Sequence, residues 1–405
     1  MKKIIDNKNK KIIFNAPPSK SISIRAIAIA MATLKYNSNI NNFEISNFSN
    51  SKDCLTALSI ARQLGFDYKE NKKGHIFSDY IFSNTISLMY DSSLSLKEKI
   101  VIDCEDSALC YRLFSYFIKL FANDIKILYS NNLEKRILND KKIIVNESNY
   151  QIDCSQTSQQ LTGLIHTLPF MKHNSIIEIN NLISKGYIDL SVDLLKKVGI
   201  NIEYSDNIIN INGNQKINNN FISIEGDWSA ASYFFVLGAI AGDILISGLN
   251  IESKQPDAII LQLFKDINID VSTIEKGVFS INKCNYKGFE VDITDCPDLA
   301  TALVVLALNA TTASKITGIH RLINKESNRR NVLLKVFSML GGKIKIVENS
   351  FEIQPSKLTG GFADAHNDHR IAMAVAISSK LCTAPITLTG VECVDKSFPD
   401  FWKYL

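Results

Sequence analysis

The sequence predicts an α/β protein of two domains, each built from three repeats of one strand-and-helix unit, on three observations. The first is length: 405 residues exceed the roughly 250–300 over which one hydrophobic core keeps growing. The second is a period in the second half of the chain. A β-rich run, a glycine turn and a lysine recur as Ile244-Leu245-Ile246-Ser247-Gly248 to Lys254, Ile316-Thr317-Gly318 to Lys325, and Ile386-Thr387-Leu388-Thr389-Gly390 to Lys396, the lysines standing 71 residues apart at each step. The third is a set of Ala-rich helical segments that keep nearly the same step, beginning near Trp228, Pro297 and Asn367. One such unit cannot bury its own apolar faces, so three are expected to pack together.

The first half carries a weaker and less regular version. Helices are expected from near Ser19, Asp106 and Thr157, and strand-turn-lysine runs end at Lys52 and Lys185. The boundary between the halves falls just before Glu225-Gly226-Asp227, where a glycine between acidic residues separates a β-rich stretch from a helix. The Asn-rich patches near 37–50 and 206–220 read as loops and turns.

Composition narrows the classes of function. Hydrophobic residues at 46% and charged residues at 21% describe a globular chain, too apolar to be disordered. A formal net charge of only +4 provides no bulk field for a polyanion, so no nucleic-acid partner is implied. The charged opening Met1-Lys2-Lys3 runs into polar residues, so no secretory leader is expected. The most apolar runs fall short of the roughly 18 residues a membrane span needs, and a cytoplasmic location without a membrane partner follows. Eight scattered cysteines lack any CxxC spacing and read as reduced thiols.

Polar groups at helix starts carry the chemistry. Pro17-Pro18 force an extended approach, Ser19 is a suitable N-cap, and Lys20 and Ser21 fall in the first turn of an apolar helix. Arg25, four residues after Ser21, lies on the same face. Cations are unfavourable at the positive end of a helix unless an anion arrives, which makes this an anion site or a solvated cap with incidental basic residues. Thr157-Ser158-Gln159, Pro297-Asp298, Lys325-Glu326-Ser327-Asn328-Arg329-Arg330 and Asn367-Asp368-His369-Arg370 are further polar helix starts, each consistent alone with a simple cap. Their recurrence at the same end of several repeats points to a ligand site.

Taken together, these segments resemble the enolpyruvyl transferase family, in the branch that acts on shikimate 3-phosphate. The matching motifs are PSKSISIR (18–25), TSQQLTGL (157–164), SKGYID (184–189), EGDWSAASYF (225–234), CPDLATAL (296–303), KESNR (325–329), NDHRIAMA (367–374) and DKSFPDF (395–401), spread over almost the whole chain. The resemblance implies a two-domain fold in which each domain is three βαβαββ repeats, an inside-out α/β barrel. It assigns residues 1–16 plus 227–405 to a C-terminal-type domain and 17–226 to an N-terminal-type domain, with the active site in the cleft between them. It implies transfer of the enolpyruvyl group of phosphoenolpyruvate to the 5-hydroxyl of shikimate 3-phosphate, with release of phosphate, in aromatic amino acid biosynthesis. No metal or organic cofactor is implied, and a monomer is expected.

The same resemblance implies the roles of residues. Asp298 would be the base near the 5-hydroxyl, with Glu326 and either Lys20 or Lys396 handling proton delivery. Lys20, Ser21, Arg25, Thr157, Ser158, Gln159, Ser184, Tyr187, Asp298, Arg321 and Lys325 would hold shikimate 3-phosphate. Lys20, Ala108, Arg112, Asn132, Gln159, Arg329, Arg370 and Lys396 would hold phosphoenolpyruvate, forked arginine donors matching its oxygens.

The chain departs from the family pattern in places. Ala108 stands where a glycine is usual, a change associated in the family with weaker inhibition by glyphosate. Asn132 replaces an arginine, leaving Lys135 or Arg136 to substitute from a shifted loop or phosphoenolpyruvate to bind more weakly. Arg321 stands where an asparagine is common, and Asn328 replaces an aspartate. Two other readings remain: the related transferase acting on UDP-N-acetylglucosamine, which would need a Lys-Asn start and a cysteine in a Gly-rich loop, and a non-catalytic anion-binding relative.

Overall fold

The computed structural model describes residues 1–5, 12–71, 76–77, 80–81, 84–90, 100–122 and 124–405. The polar stretch from Asp6 that follows the opening lysines lies outside them. The chain divides into two compact units, one formed by Met1–Pro17 with Gly226–Leu405 and the other by Pro18–Glu225.

In the first unit the helices Trp228–Ala241, Ala300–Asn309 and His369–Ser378 pack against one another. Ala300 to Leu308 and His369 to Ser378 are buried without interruption, so these helices are apolar all round instead of amphipathic. Sheets surround them. Ile12–Asn15 runs parallel to Ile244–Ser247, which continues antiparallel to Val278–Ile281 and Val271–Glu275. Glu290–Asp292, Ser314–Thr317, Ser350–Gln354 and Lys343–Val347 repeat that order. In the third sheet Gly361–Asp364 runs parallel to Ile386–Thr389, and Lys2–Ile5 pairs antiparallel on the far side. The amino-terminal strands thus open the first repeat and complete the third.

Aromatic packing anchors the carboxyl terminus to this core. Phe14 stacks on Phe234 with ring centroids 3.7 Å apart, and Phe398, Phe401 and Tyr404 meet Phe234 edge-on. Phe398 and Phe401 are buried, so the segment that follows Lys396 is held by the burial of two aromatic rings.

The second unit repeats the plan. Its helices Lys20–Tyr36, Ala108–Phe117 and Gln159–Thr167 pack together. Phe221–Ser223 returns from far along the chain to run parallel to Asn42–Ser46, beside Thr85–Tyr90 and Phe66–Asn71. Ile100–Asp103 runs parallel to Ile125–Leu128, and Asn149–Asp153 runs parallel to Ser175–Asn180, which continues to Ile208–Ile211 and Ile202–Ser205. Gly163 allows the closest helix contact: a Cβ there would lie 2.6 Å from the carbonyl oxygen of Arg112.

Three sequence expectations are corrected. The Asn-rich patches contain the strands Asn42–Ser46 and Ile208–Ile211. Phe43 and Ile45, then Ile209 and Ile211, are buried on alternate positions, and that period of two outweighs the turn preference of asparagine. Ser19 precedes its helix but makes no side-chain cap hydrogen bond. Asp298 lies ahead of its helix, which starts at Ala300 with Leu299 at the N-cap position, so it is not a simple cap.

The periodic glycine turn has a conformational cause. Gly248, Gly318 and Gly390 adopt φ of 83°, 81° and 71°, a left-handed conformation that side chains oppose. In the second unit the turns after Asn42–Ser46 and Ser175–Asn180 use Asn47 and Asn181 at φ 53° and 52°. Asparagine is the residue that best tolerates this region after glycine, which is why the repeat is fainter in the first half. Gly318→Ala is expected to destabilise the protein by about 2 kcal/mol, because its Cβ would also meet Asp292 Oδ1 at 2.6 Å. A shift of the urea unfolding midpoint measures this.

Candidate active site

In the first unit the polar helix starts of the second and third repeats come together. Arg329 begins the helix Arg329–Met339 and is fully buried. Its guanidinium donates to both oxygens of Asp368, at 3.0 and 3.1 Å, to Glu326 Oε2 at 2.7 Å and to Asp298 Oδ1 at 3.1 Å. Asp368 is itself the N-cap of His369–Ser378 and accepts from the backbone N–H of Arg370 at 3.0 Å. One arginine therefore ties together segments from the second and third repeats.

Asp298 is the carboxylate of this cluster that meets three cationic side chains. Besides Arg329 it accepts from Arg370 Nη2 at 2.9 Å and lies 3.4 Å from Lys325 Nζ. Burial alone pushes its carboxyl up, but Arg370, Lys325 and Arg329 together hold it well below the ordinary carboxylate range. Asp298 is thus kept ionised in a partly dehydrated place. Burial lowers the Lys325 ammonium to about 8, against the opposing pull of Asp298. Arg321 contributes to that lowering and donates to the carbonyl of Thr294 at 3.3 Å. Lys396 ends the turn Val391–Lys396, which packs on His369–Ser378.

In the second unit Arg25 is buried in the middle of a neutral shell. It donates to Ser191 Oγ at 2.7 Å, to the Ser21 carbonyl at 2.9 Å and to Thr162 Oγ1 at 3.5 Å. No carboxylate among the described residues pairs with it. Burial lowers it to about 10, with Tyr187 in electrostatic reach. His166 on the neighbouring turn is pushed down to about 3 by burial and then by Arg25, so it stays neutral. A buried cation without a counter-charge is costly. Ser158 donates to the carbonyl of Ser184 at 3.5 Å, and Ser184 holds a left-handed backbone at φ 55° ahead of Lys185–Lys197. Thr157 Oγ1 accepts from the N–H of Gln159 at 3.2 Å.

Other residues singled out from sequence are engaged with partners that sequence did not reveal. Lys20 Nζ pairs with Asp53 at 3.0 Å. Arg112 forks onto Asp140 at 2.8 and 2.7 Å and donates to Gln159 Oε1 at 2.9 Å and the carbonyl of Arg136 at 3.2 Å. Asn132 donates to Asp106 Oδ1 at 2.9 Å, and Arg136 Nη1 reaches the Asp106 carbonyl at 3.4 Å. Ala108 opens its helix, buried beside the N-cap Ser107. Sequence reasoning gave no site role to Asp53, Asp140, Asp368, Thr162 or Ser191. Only Asp368, directly ahead of an apolar helix, carried a local signal as a cap. Of the periodic lysines, Lys254 is exposed while Lys325 belongs to the cluster, so the period describes the fold more than the site.

Comparison with solved structures defines the class first. The chain shares its fold with EPSP synthase from Acinetobacter baumannii (TM-score 0.76, 19% identity, covering 100% of this chain and 97% of that one). It likewise shares it with the enolpyruvyl transferase NikO from Streptomyces tendae (TM-score 0.69, 12% identity, covering 100% and 96%). The fold is therefore that of the enolpyruvyl transferases. Sequence narrows this: residues 118–405 match the family profile of EPSP synthase (3-phosphoshikimate 1-carboxyvinyltransferase). The 3-phosphoshikimate 1-carboxyvinyltransferases of Clostridium novyi and Clostridium perfringens (strain ATCC 13124) are 33% and 30% identical, covering 96% and 100% of this chain and 93% and 97% of theirs. The chain belongs to the EPSP synthase family. It is a transferase of the shikimate pathway that moves the enolpyruvyl group of phosphoenolpyruvate to shikimate 3-phosphate.

Arg329→Met leaves Asp298, Glu326 and Asp368 without their shared cation, and a loss of about 3–5 kcal/mol of stability is expected. Guanidinium unfolding of the purified variant measures it.

Proposed function

We propose that the transfer is carried by the Asp298 cluster of the first unit together with the buried cation of the second. The observation that supports this most is the grip of Arg370, Arg329 and Lys325 on Asp298, which keeps a carboxylate ionised at an apolar helix start. In this reading Asp298 accepts the proton of the attacking 5-hydroxyl. Glu326, with Lys20 or Lys396, supplies the proton that turns the methylene of phosphoenolpyruvate into a methyl and makes C2 electrophilic. The tetrahedral adduct then loses phosphate, which carries off the proton held by Asp298, and returns a methyl proton to the group that supplied it, restoring the enol ether.

Arg25, with Ser21, Thr157, Ser158, Gln159, Ser184, Tyr187, Arg321 and Lys325, takes shikimate 3-phosphate. Arg25 fits that task because it is buried without a carboxylate. Arg370, Lys396 and Lys20 take the anionic groups of phosphoenolpyruvate. Arg329, fully buried, and Arg112, forked onto Asp140, align that set from behind as much as they contact it. Residues 1–16 with 227–405 and residues 17–226 act as two domains that are both required for one turnover. We take the enzyme to work as a cytoplasmic monomer, a setting that suits cysteines which, apart from Cys284, are buried thiols.

Phosphate release from phosphoenolpyruvate and shikimate 3-phosphate tests the assignment. Asp298→Ala and Glu326→Gln are each expected to lower kcat by roughly 10²–10⁴, and a wild-type rate in either would remove that residue from the chemistry. Release that depends on UDP-N-acetylglucosamine instead would replace the acceptor. Ala108→Gly opens space at the helix start, and glyphosate is expected to inhibit that variant on the order of tenfold more strongly than wild type in the same assay.

A further inference from the structure

Asp257 is a buried carboxyl that the proposed chemistry does not use. It sits in the turn Pro256–Ile259, which packs on the helix Trp228–Ala241, and it is 1% exposed. Gln255 fixes the turn, donating to the Gly226 carbonyl at 2.8 Å and accepting from the Trp228 N–H at 3.2 Å. Oδ2 of Asp257 accepts from Ser229, while Oδ1 is buried without a hydrogen-bond partner among the described residues. An ionised carboxylate would be expected to fill both oxygens, whereas a carboxylic acid has less need to.

The charged and titratable groups that face Asp257 are Asp298 and Cys296 ahead of Ala300–Asn309, Arg370 at the start of His369–Ser378, and Asp227 ahead of Trp228–Ala241. Arg370 is the one cation in this set, and it is already bound to Asp298 at 2.9 Å. Two carboxylates thus face one guanidinium, with Asp257 and Arg370 buried and Asp298 partly exposed.

We propose that Asp257 is a positioning residue that carries a proton while Asp298 is ionised, so that Arg370 stays committed to Asp298 and to the anionic substrate. Burial, followed by the negative charge of Asp298, pushes Asp257 up to about 7, in keeping with this arrangement. When pH rises through that value Asp257 ionises and draws on Arg370. Phosphoenolpyruvate then meets a second negative charge, and its affinity falls. The inference rests on the reading above that Arg370 binds phosphoenolpyruvate.

The test is the KM for phosphoenolpyruvate from pH 6 to pH 8.5 in wild type and in Asp257→Asn, which keeps the shape and removes the charge. The ionisation of phosphoenolpyruvate itself affects both proteins equally and cancels in the comparison. Wild-type KM is expected to rise by about fivefold relative to the variant across this range, with kcat much less changed. Parallel curves in the two proteins would show that Asp257 is only structural and overturn the proposal. A second measurement does not depend on the variant folding: infrared titration of wild type with 13C-labelled aspartate should show a carboxylic acid that titrates near neutrality. Absence of such a signal overturns the proposal. Arg370→Ala separates the two levels, since an unchanged KM in that variant would overturn the substrate reading, and the inference with it. A raised KM there alongside parallel wild-type and Asp257→Asn curves would overturn the inference alone.

Discussion

The first unit depends on a single buried fork, Arg329 on Asp368, with both side chains fully removed from solvent. A guanidinium so placed is tolerable only if its donors are met by carboxylates of good geometry. That requirement draws Asp298, Glu326 and Asp368 to one point from three chain segments. Asp368 meets a second requirement at the same time, since it caps the helix that carries Arg370. Displacing either partner would therefore disturb a helix terminus as well as an ion pair.

Packing of the central helices is what allows this convergence. Helices that are apolar on every face must be surrounded, and sheets with one apolar face surround them only if each repeat presents the same side inward. The connections around those helices bring polar residues of the second and third repeats together. The amino-terminal strands complete the arrangement, because without Lys2–Ile5 and Ile12–Asn15 the third and first sheets would each lack a pairing partner.

The two units manage charge differently. The first balances Arg329, Arg370 and Lys325 against a group of carboxylates; the cations depress Asp298, while burial and then the charge of Asp298 raise Asp257. The second leaves Arg25 among hydroxyls and a backbone carbonyl while pairing Lys20 with Asp53 and Arg112 with Asp140. In the function proposed above, the balanced cluster handles proton transfer and the unbalanced cation handles anion binding.

By itself the sequence determined the α/β class, the three-fold repeat of the second half and the residues around which a site could form. These depend on local constraints: apolar runs that must be buried, glycines that must take a positive φ, and polar residues at helix starts. It was misleading at Asn42–Ser46 and Ile208–Ile211, where burial of alternate residues overrides the local preference of asparagine. It also left Asn132 and Arg136 undecided, and the structure brings both to Asp106. Tertiary structure alone decided which charges meet. Arg329 and Asp368 are 39 residues apart and Arg112 and Asp140 are 28 apart, and ion pairing depends on distance in space. Asp257 illustrates this most clearly, since nothing in Gln255-Pro256-Asp257 distinguishes a surface aspartate from a buried acid until neighbouring repeats close over it and bring Asp298 and Arg370 within reach.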